Sequence, residues 1–192
     1  VKRLWGQDSA EILWCPSCGF GFGWPFVGGD AEFYSIIHED FGYPSDRWEY
    51  GQAIASILAR YPSGGKVLDV GTGDGAFLDR LPSSWMKFAI ESTDTMRDVL
   101  RRKNITSFSS TDSAIGALGP SSCEAVTLFQ CIEHVCDFHG MLSGLRRLVT
   151  PGGLLIVSTP NGEELPRRER ATHSPDMPPN HINKWTRQSL SI

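Results

Sequence analysis

The hydrophobic positions of the chain follow two patterns that alternate from residue 66 onward. Short runs of consecutive apolar residues are separated by segments in which apolar residues recur every three or four positions. The runs predict buried strands, and the periodic segments predict amphipathic helices. Strands that alternate with helices are typical of βαβ units, and strands that are apolar throughout indicate a parallel sheet covered by helices on both faces. The predicted strands are 66–70, 87–90, 105–109, 125–129 and 154–158, and the predicted helices are 74–81, 95–103, 137–149 and one before the first strand, capped by Ser45 or Asp46 and ending near Arg60.

Both ends of the chain lack these patterns. Residues 1–30 are rich in glycine, tryptophan, phenylalanine and cysteine, and their apolar positions show no helical period. They predict a small arm of turns and short strands, one of them over 11–14. Residues 163–175 carry several arginines and His173 without apolar periodicity, which predicts a mobile loop. The chain begins with valine and ends inside what resembles a helix, so we expect further residues at both ends.

Composition and charge narrow the class of function. The 192-residue chain is 40% hydrophobic, and its 18 basic and 22 acidic residues leave a net charge of −4. Nucleic-acid-binding proteins usually carry a basic surface, so we expect no nucleic acid as partner. No apolar run approaches the roughly 18 residues that cross a bilayer, and the first residues lack the apolar core of a signal peptide. We therefore expect a cytoplasmic protein without a membrane partner, and the sequence leaves its oligomeric state open.

A loop with three glycines follows the first predicted strand of the sheet. Gly71, Gly73 and Gly75 allow a sharp turn and close approach of a ligand to the backbone, and the helix after them offers free N–H groups at its start. In an open parallel sheet, ligands bind at the carboxyl ends of the strands. Two cofactors fit such a loop: a dinucleotide, with Glu91 on its ribose, and S-adenosylmethionine. The glycines do not decide between them, although the acidic residues that flank the loop favour a sulfonium cation over a diphosphate.

Five segments, in the right order along the chain, resemble the motifs of the class I S-adenosylmethionine-dependent methyltransferases. They are 67–75, 88–91, 110–113, 129–135 and 148–154. The Glu-His-Val sequence in the fourth and the Pro-Gly-Gly turn in the fifth are not expected of a dinucleotide dehydrogenase, so the resemblance favours a methyltransferase. It implies an α/β fold with a doubly wound, mostly parallel, Rossmann-like sheet and a small N-terminal arm. It also implies a closing antiparallel strand pair, for which we find no segment before the chain ends.

The resemblance implies which residues hold the cofactor, S-adenosylmethionine, whose product is S-adenosylhomocysteine. The methionine and ribose portions are surrounded by Asp69, Gly71, Gly73 and Gly75, and the ribose hydroxyls are bound by Glu91. The adenine is received by Asp112 and the N–H of Ser113, and the sulfonium lies above Gln130 and Cys131. Two plainer interpretations stay open: Asp112 as a cap of the following helix, and Cys131 as part of the core.

The last part of the chain resembles a segment that shapes the acceptor pocket in a subset of this family. Residues 176–186 contain Pro-Pro-Asn-His and end in Trp-Thr. The acceptor implied is a small molecule, with a sugar or glycan precursor as the favoured class. Removal of a proton from an oxygen or carbon acceptor suits a histidine. His181 is the first candidate for this base and His134 the second.

The segments predict a division of the chain into three parts. These are an N-terminal arm at 1–42, a cofactor-binding Rossmann-like domain at 43–161, and an acceptor-side loop with the start of a C-terminal part at 162–192.

The arm contains a Cys-x-x-Cys pair that resembles half of a zinc knuckle. Cys15 and Cys18 supply two ligands, but tetrahedral zinc needs four. No second pair follows, and His38 is the only donor nearby. Small-molecule methyltransferases that this chain resembles carry two such pairs in their arm. The sequence therefore favours a metal-free turn and predicts no metal.

Three functions stay open at this stage. The first is a methyltransferase that acts on a small molecule. The second is a non-catalytic module that binds S-adenosylmethionine or a partner, with the cysteine arm mediating contact. The third, an NAD-linked oxidoreductase, lacks the support of the five motifs.

Overall fold

The computed structural model describes residues 2–6, 8–30, 32–34, 46–172 and 176–191, so the predicted cap Ser45 and the donor His38 lie outside the described residues. The chain divides into two units. The arm–tail unit comprises residues 1–36, 130–138 and 159–192, and the sheet unit comprises residues 37–129 and 139–158.

Strands and helices alternate through most of the described residues. The strands are β1 (Glu11–Trp14), β2 (Gly21–Trp24), β3 (Lys66–Val70), β4 (Met86–Ile90), β5 (Thr106–Phe108), β6 (Cys123–Phe129), β7 (Val149–Ser158) and β8 (Asn183–Lys184). The helices are α1 (Lys2–Trp5), α2 (Trp48–Arg60), α3 (Ala76–Asp79), α4 (Asp94–Arg102), α5 (Thr111–Leu118), α6 (Phe138–Leu148) and α7 (Leu165–Thr172). None of the helices within these residues has the length and apolar character that a membrane span requires.

The sheet unit contains a five-stranded sheet in the order β5-β4-β3-β6-β7, and every neighbouring pair is parallel. In the central strand β3, Leu68 pairs with Phe88 of β4 and with Val126 of β6. The chain runs outward from β3 to β5 and then returns to β6 on the other side of β3, so the strand order reverses between β3 and β6. Ligands of open α/β sheets bind at such a switch point, at the carboxyl ends of the strands. The predicted doubly wound, Rossmann-like fold is confirmed.

A hydrophobic core supports the central strands. Val67 of β3, Ala125 of β6 and Ile57 of α2 are fully buried in it. The ring of Phe77 in α3 lies 4.8 Å from that of Phe129 at the end of β6. Burial of each large apolar side chain contributes about 1.5–3 kcal/mol. This packing holds the carboxyl ends of β3 and β6 and the first turn after the glycine loop in fixed positions.

Two predicted helix starts differ from the structure. The N-cap of α2 is Arg47, with no side-chain cap, and Asp46 forms an ion pair with Arg80 at 2.9 Å instead, so the prediction of Asp46 as cap is wrong. The helix predicted over 74–81 is shortened to α3. Its first residues are not helical because Gly73 and Gly75 have positive φ angles of 58° and 83°.

The arm–tail unit contains a three-stranded antiparallel sheet in the order β1-β2-β8. The predicted strand at 11–14 is confirmed as β1. The pairing of β2 with β8 joins the arm to the tail, and the sequence pattern does not predict it. An aromatic cluster packs beside it: the ring of Phe20 lies 4.7 Å from Trp185 and 5.6 Å from Phe138. Ile132 and Ile182 are buried. The unit therefore has apolar contacts of its own.

The loop predicted over 163–175 is wrong for most of its length, because α7 spans Leu165–Thr172. Leu165 is buried and anchors the helix, and Pro166 follows in the first turn, where proline is tolerated. Arginine, glutamate and alanine favour helices even without an apolar stripe. Residues 173–175, which include His173, lie outside the described residues.

Candidate functional site

The glycine loop begins directly after β3. Gly71, Gly73 and Gly75 have φ angles of 67°, 58° and 83°. These values belong to the left-handed region, which a side chain with a Cβ rarely adopts and which glycine adopts without strain. The N–H of Gly71 donates to the carbonyl of Ile90 at 2.8 Å, so the loop is joined to the end of β4. The sequence therefore needs glycine here to turn the backbone at the switch point.

Asp69 holds the glycine loop in place through its side-chain hydrogen bonds. Its side chain is 3% exposed; Oδ1 accepts the hydroxyl of Thr127 at 2.7 Å and Oδ2 accepts the hydroxyl of Thr72 at 2.6 Å. Burial raises the pKa of this carboxyl to about 6, in spite of both hydrogen bonds, and the negative charge of Glu91 acts in the same direction. Asp69 thus links β3, β6 and the glycine loop. Its predicted contact with the cofactor stays a prediction.

Glu91 is the buried carboxylate at the carboxyl end of β4. Oε2 accepts the N–H of Gly73 at 3.1 Å, and Oε1 accepts the N–H and the hydroxyl of Thr93 at 3.0 and 3.1 Å. The hydroxyl of Ser92 also lies 3.5 Å from Oε1. An ionised carboxylate has about four lone-pair sites, so ribose hydroxyls that bind here take the places of the Thr93 and Ser92 hydroxyls. A fixed carboxylate beside a glycine backbone fits the two hydroxyls of a ribose. The residues present therefore fit the adenosyl cofactor that the sequence predicts.

Asp112 and Ser113 lie in the first turn of α5, after β5. Ser110 caps this helix: its hydroxyl accepts the N–H of Ser113 at 3.2 Å, and its own N–H donates to the hydroxyl of Ser113 at 3.1 Å. The interpretation of Asp112 as the cap is therefore wrong, and its carboxylate is exposed. The N–H of Ser113 is engaged in the cap, which leaves Asp112 as the group for an adenine.

Gln130 and Cys131 follow β6 directly and belong to the arm–tail unit. Gln130 has a φ angle of 51°, which is uncommon for a residue with a side chain. Strained backbone of this kind persists only where the surroundings hold it, and it is frequent at functional sites. The predicted place of both residues beneath the sulfonium stays a prediction.

The two candidate bases lie together in the arm–tail unit. The rings of His134 and His181 are 4.6 Å apart between centroids. Nδ1 of His134 lies 2.7 Å from the carbonyl oxygen of Asn180, and Nδ1 of His181 lies 2.8 Å from Oδ1 of Asp176. A carbonyl or carboxylate oxygen only accepts, so both Nδ1 atoms carry hydrogen. In the neutral rings the lone pair is then on Nε2.

Asp176 is the central residue of a small charged network. It binds Lys184 as well as His181, and its own N–H donates to Oε1 of Glu169 in α7 at 2.7 Å. Burial acts to raise the pKa of Asp176, but the hydrogen bond and charge of His181, together with Lys184, hold that pKa at about 2. Asp176 is therefore ionised and fixes the orientation of the His181 ring.

Glu133 completes the cluster and was not predicted as a site residue. Its side chain is 1% exposed, and neither carboxylate oxygen has a hydrogen-bond partner within the described part of the chain. Burial raises the pKa of Glu133 to about 6, against the opposing charge of His181. Its signal in the sequence is a lone carboxylate that follows an apolar strand and directly precedes a histidine.

Among the described residues, Glu133, His134 and His181 form the one group of ligand atoms spaced for a metal ion, all within 4.8 Å of one another. Cys15 and Cys18 belong to no such group within the part of the chain that the structure describes. They flank a tight turn, in which the N–H of Gly19 donates to the carbonyl of Cys15 at 2.9 Å. Nearby backbone N–H groups, that of Cys18 first, lower the pKa of the Cys15 thiol.

A parallel sheet in this order, with a glycine loop and a buried carboxylate at its carboxyl edge, is typical of Rossmann-like folds, to which the class I methyltransferase fold belongs. A family model described as a methyltransferase domain matches residues 45–191. The match extends over more than half of the chain, so the protein belongs to this S-adenosylmethionine-dependent methyltransferase family. The family and the cofactor predicted from the sequence are confirmed.

Individual relatives agree with this assignment. The ubiquinone biosynthesis O-methyltransferase of Xylella fastidiosa (strain 9a5c) is 32% identical over 113 residues, which cover 55% of this chain and 46% of the relative. The chain thus spans about half the length of this curated relative. A SAM-dependent methyltransferase from Archaeoglobus fulgidus superposes with a TM-score of 0.57 at 18% identity, over 83% of this chain and 71% of its own. The sugar N-methyltransferase KedS8 from Streptoalloteichus sp ATCC 53650 superposes with a TM-score of 0.51 at 22% identity, over 70% of this chain and 57% of its own. The two solved structures show a shared fold.

Proposed function

We propose that this protein transfers the methyl group of S-adenosylmethionine to a small-molecule acceptor and releases S-adenosylhomocysteine. The observation that carries the proposal is the hydrogen bond between Gly73 and Glu91, which places a buried carboxylate beside the glycine backbone at the switch point of the sheet. When bound, the cofactor supplies an electrophilic methyl group on a good leaving group. The protein then has to position the acceptor and exclude water.

The cofactor residues have separate tasks in this proposal. The glycine loop lies against the methionine and ribose portions, and Glu91 accepts the two ribose hydroxyls in charge-assisted hydrogen bonds. Asp112 accepts the adenine amino group, since its carboxylate is exposed at the start of α5. Asp69 keeps the loop in place through Thr72 and Thr127. Gln130 and Cys131 line the floor beneath the sulfonium.

The proposed acceptor is a sugar or glycan precursor, and the cytoplasm is its proposed location. The sugar N-methyltransferase KedS8 has the same fold, and the ubiquinone biosynthesis relative is an O-methyltransferase, so these two proteins methylate nitrogen and oxygen nucleophiles. A hydroxyl acceptor has to lose a proton. His181 is the proposed base, because Asp176 holds its Nδ1–H and leaves the lone pair on Nε2. His134 is the second candidate.

The transfer assay uses radiolabelled S-adenosylmethionine and a panel of nucleotide sugars and free sugars, with Glu91→Ala as the matched negative control. Label transferred to an acceptor by the wild-type chain, and lost in the variant, supports the proposal. Binding of S-adenosylhomocysteine without transfer to any member of a broad acceptor panel favours the non-catalytic module. Binding of NAD in its place overturns both.

A further inference from the structure

We infer that Glu133, His134 and His181 form a binding site for a divalent first-row transition-metal ion, with Zn²⁺ as the representative. The three ligand atoms lie within 4.8 Å of one another in a single unit of the protein. Metal binding itself does not depend on the proposed methyl transfer. Only the role given to the ion below rests on that proposed function.

The two histidines are prepared as metal ligands by their neighbours. Metal-bound imidazoles nearly always donate their other ring N–H to a carboxylate or a backbone carbonyl, which fixes the ring and its tautomer. His181 makes this contact with Asp176 at 2.8 Å, and His134 makes it with the carbonyl of Asn180 at 2.7 Å. Both contacts leave the lone pair on Nε2, the atom that a cation requires.

Glu133 supplies the third ligand and the negative charge. A buried carboxylate without a hydrogen-bond donor is costly, because nothing replaces the water it has lost. At 1% exposure, with neither oxygen partnered among the described residues, Glu133 meets this description. A divalent cation bound between this carboxylate and the two imidazoles compensates the buried charge. The cluster is thereby explained as a site rather than as a packing defect.

The donor set identifies the class of ion. Two imidazole nitrogens with one carboxylate oxygen suit Zn²⁺ and its first-row neighbours, whereas Mg²⁺ and Ca²⁺ prefer oxygen donors alone. Zinc ligands at about 2.0–2.2 Å from the ion stand roughly 3.3 Å apart in a tetrahedron. A bound ion therefore has to draw together ligand atoms that lie up to 4.8 Å apart without it. Three protein ligands leave a fourth position open, as in catalytic zinc sites.

The open position would let the ion bind a hydroxyl group. A hydroxyl bound there would have a lowered pKa and would lose its proton to solvent water. In the metal-bound protein, Nε2 of His181 is a ligand, so His181 acts by holding the ion. In the metal-free protein, the same atom is the base proposed above.

The test is a titration of chelator-treated protein with Co²⁺, whose visible absorption reports binding, followed by competition with Zn²⁺. We expect saturation at one ion per chain. His181→Ala and Glu133→Gln are expected to weaken binding by at least about tenfold, and Asp176→Asn by about 10–100-fold, because it orients a ligand without touching the ion. The circular dichroism spectrum of each variant establishes that it is folded.

Two controls separate this site from other sources of metal binding. His139→Ala removes an exposed histidine outside the cluster, and the double variant Cys15→Ser/Cys18→Ser removes the Cys-x-x-Cys pair; both are expected to bind Co²⁺ like the wild type. The inference is overturned by the absence of saturable binding, or by binding that disappears with the cysteine pair and persists in folded His181→Ala and Asp176→Asn. Calorimetry with S-adenosylhomocysteine on the same samples keeps the two proposals apart, since its affinity tests the methyltransferase and not the metal site.

Discussion

The backbone N–H of Gly73 donates to Oε2 of Glu91 at 3.1 Å. This contact joins the loop after β3 to the residue after β4, and both partners are buried. A carboxylate held in this way keeps its position before a ligand arrives, so less conformational freedom is lost on binding. The same contact makes the affinity for the cofactor sensitive to both residues.

Replacement of the carboxylate tests its role most simply. Glu91→Ala is expected to weaken the binding of S-adenosylhomocysteine by about 1.5–3 kcal/mol, which is roughly 10–150-fold, because a charge-assisted contact with the ribose is lost. Isothermal titration calorimetry measures the change. Asp98→Ala, which removes an exposed carboxylate paired with Arg101 on α4, is the matched control and is expected to bind normally. Equal affinity of Glu91→Ala and the control contradicts the assignment.

A change in the loop backbone is expected to have a larger effect. In Gly73→Val, a β-branched residue has to adopt a φ angle near 58°, which is a genuine outlier for such a side chain. We expect folded protein whose affinity for S-adenosylhomocysteine is lowered by more than about 100-fold, a loss of roughly 2.7 kcal/mol or more. Gly116→Ala adds a Cβ where no atom lies within 4 Å, so it serves as the control. Wild-type affinity in folded Gly73→Val shows that the loop does not hold the cofactor.

Asp69 predicts a dependence of stability on pH. Its pKa in the folded protein is about 6, above its ordinary 3.8, so its contribution to stability is fully present below that ordinary value and is lost as the pH rises through about 6. Relative to Asp69→Asn, the wild type is expected to lose on the order of 2–3 kcal/mol of unfolding free energy between about pH 4 and pH 7. Urea unfolding of both proteins across this range measures it. A constant difference between the two curves contradicts the raised pKa.

The role of His181 is tested by kinetics. His181→Ala is expected to lower kcat by about 10²–10⁴-fold, since general acid–base catalysis contributes that much, and to leave the affinity for S-adenosylhomocysteine unchanged. His139→Ala is the control, because His139 is exposed and lies outside the cluster. The pH profile of kcat is recorded for the wild type with and without a chelator. An unaffected kcat in His181→Ala removes His181 from the reaction under either proposal.

The strands of the sheet unit follow from the sequence because burial on both faces makes them continuously apolar. Val67, Leu68 and Val126 show no exposure at all, and this pattern predicts strands without help from distant contacts. The sequence pattern does not predict the helix α7, for the opposite reason. Its arginines and glutamate favour a helix by intrinsic propensity. Leu165 is the one buried residue among 165–171, the part of the helix whose side chains the structure describes, so no apolar period marks it. Apolar periodicity reveals a helix that buries one face, and α7 buries almost no apolar surface.

The candidate sites differ in the same way. Glu91 and the glycines lie on consecutive βα units, where local order along the chain predicts neighbourhood in space. His181 and Glu133 meet through the contact of the Ile182 N–H with the Glu133 carbonyl at 3.0 Å, which joins distant parts of the chain. No local pattern encodes that contact, nor the pairing of Phe22 in β2 with Asn183 in β8. The sequence could therefore offer both histidines as candidates but could not predict their convergence on a buried carboxylate.

The most direct test of the central claim is a calorimetric titration of the wild-type chain with S-adenosylhomocysteine, with NAD as the competing ligand. The proposal that the glycine loop and Glu91 seat an adenosyl cofactor predicts saturable binding of one S-adenosylhomocysteine per chain and no heat with NAD. Folded protein that gives no heat with S-adenosylhomocysteine, or that saturates with NAD instead, contradicts it.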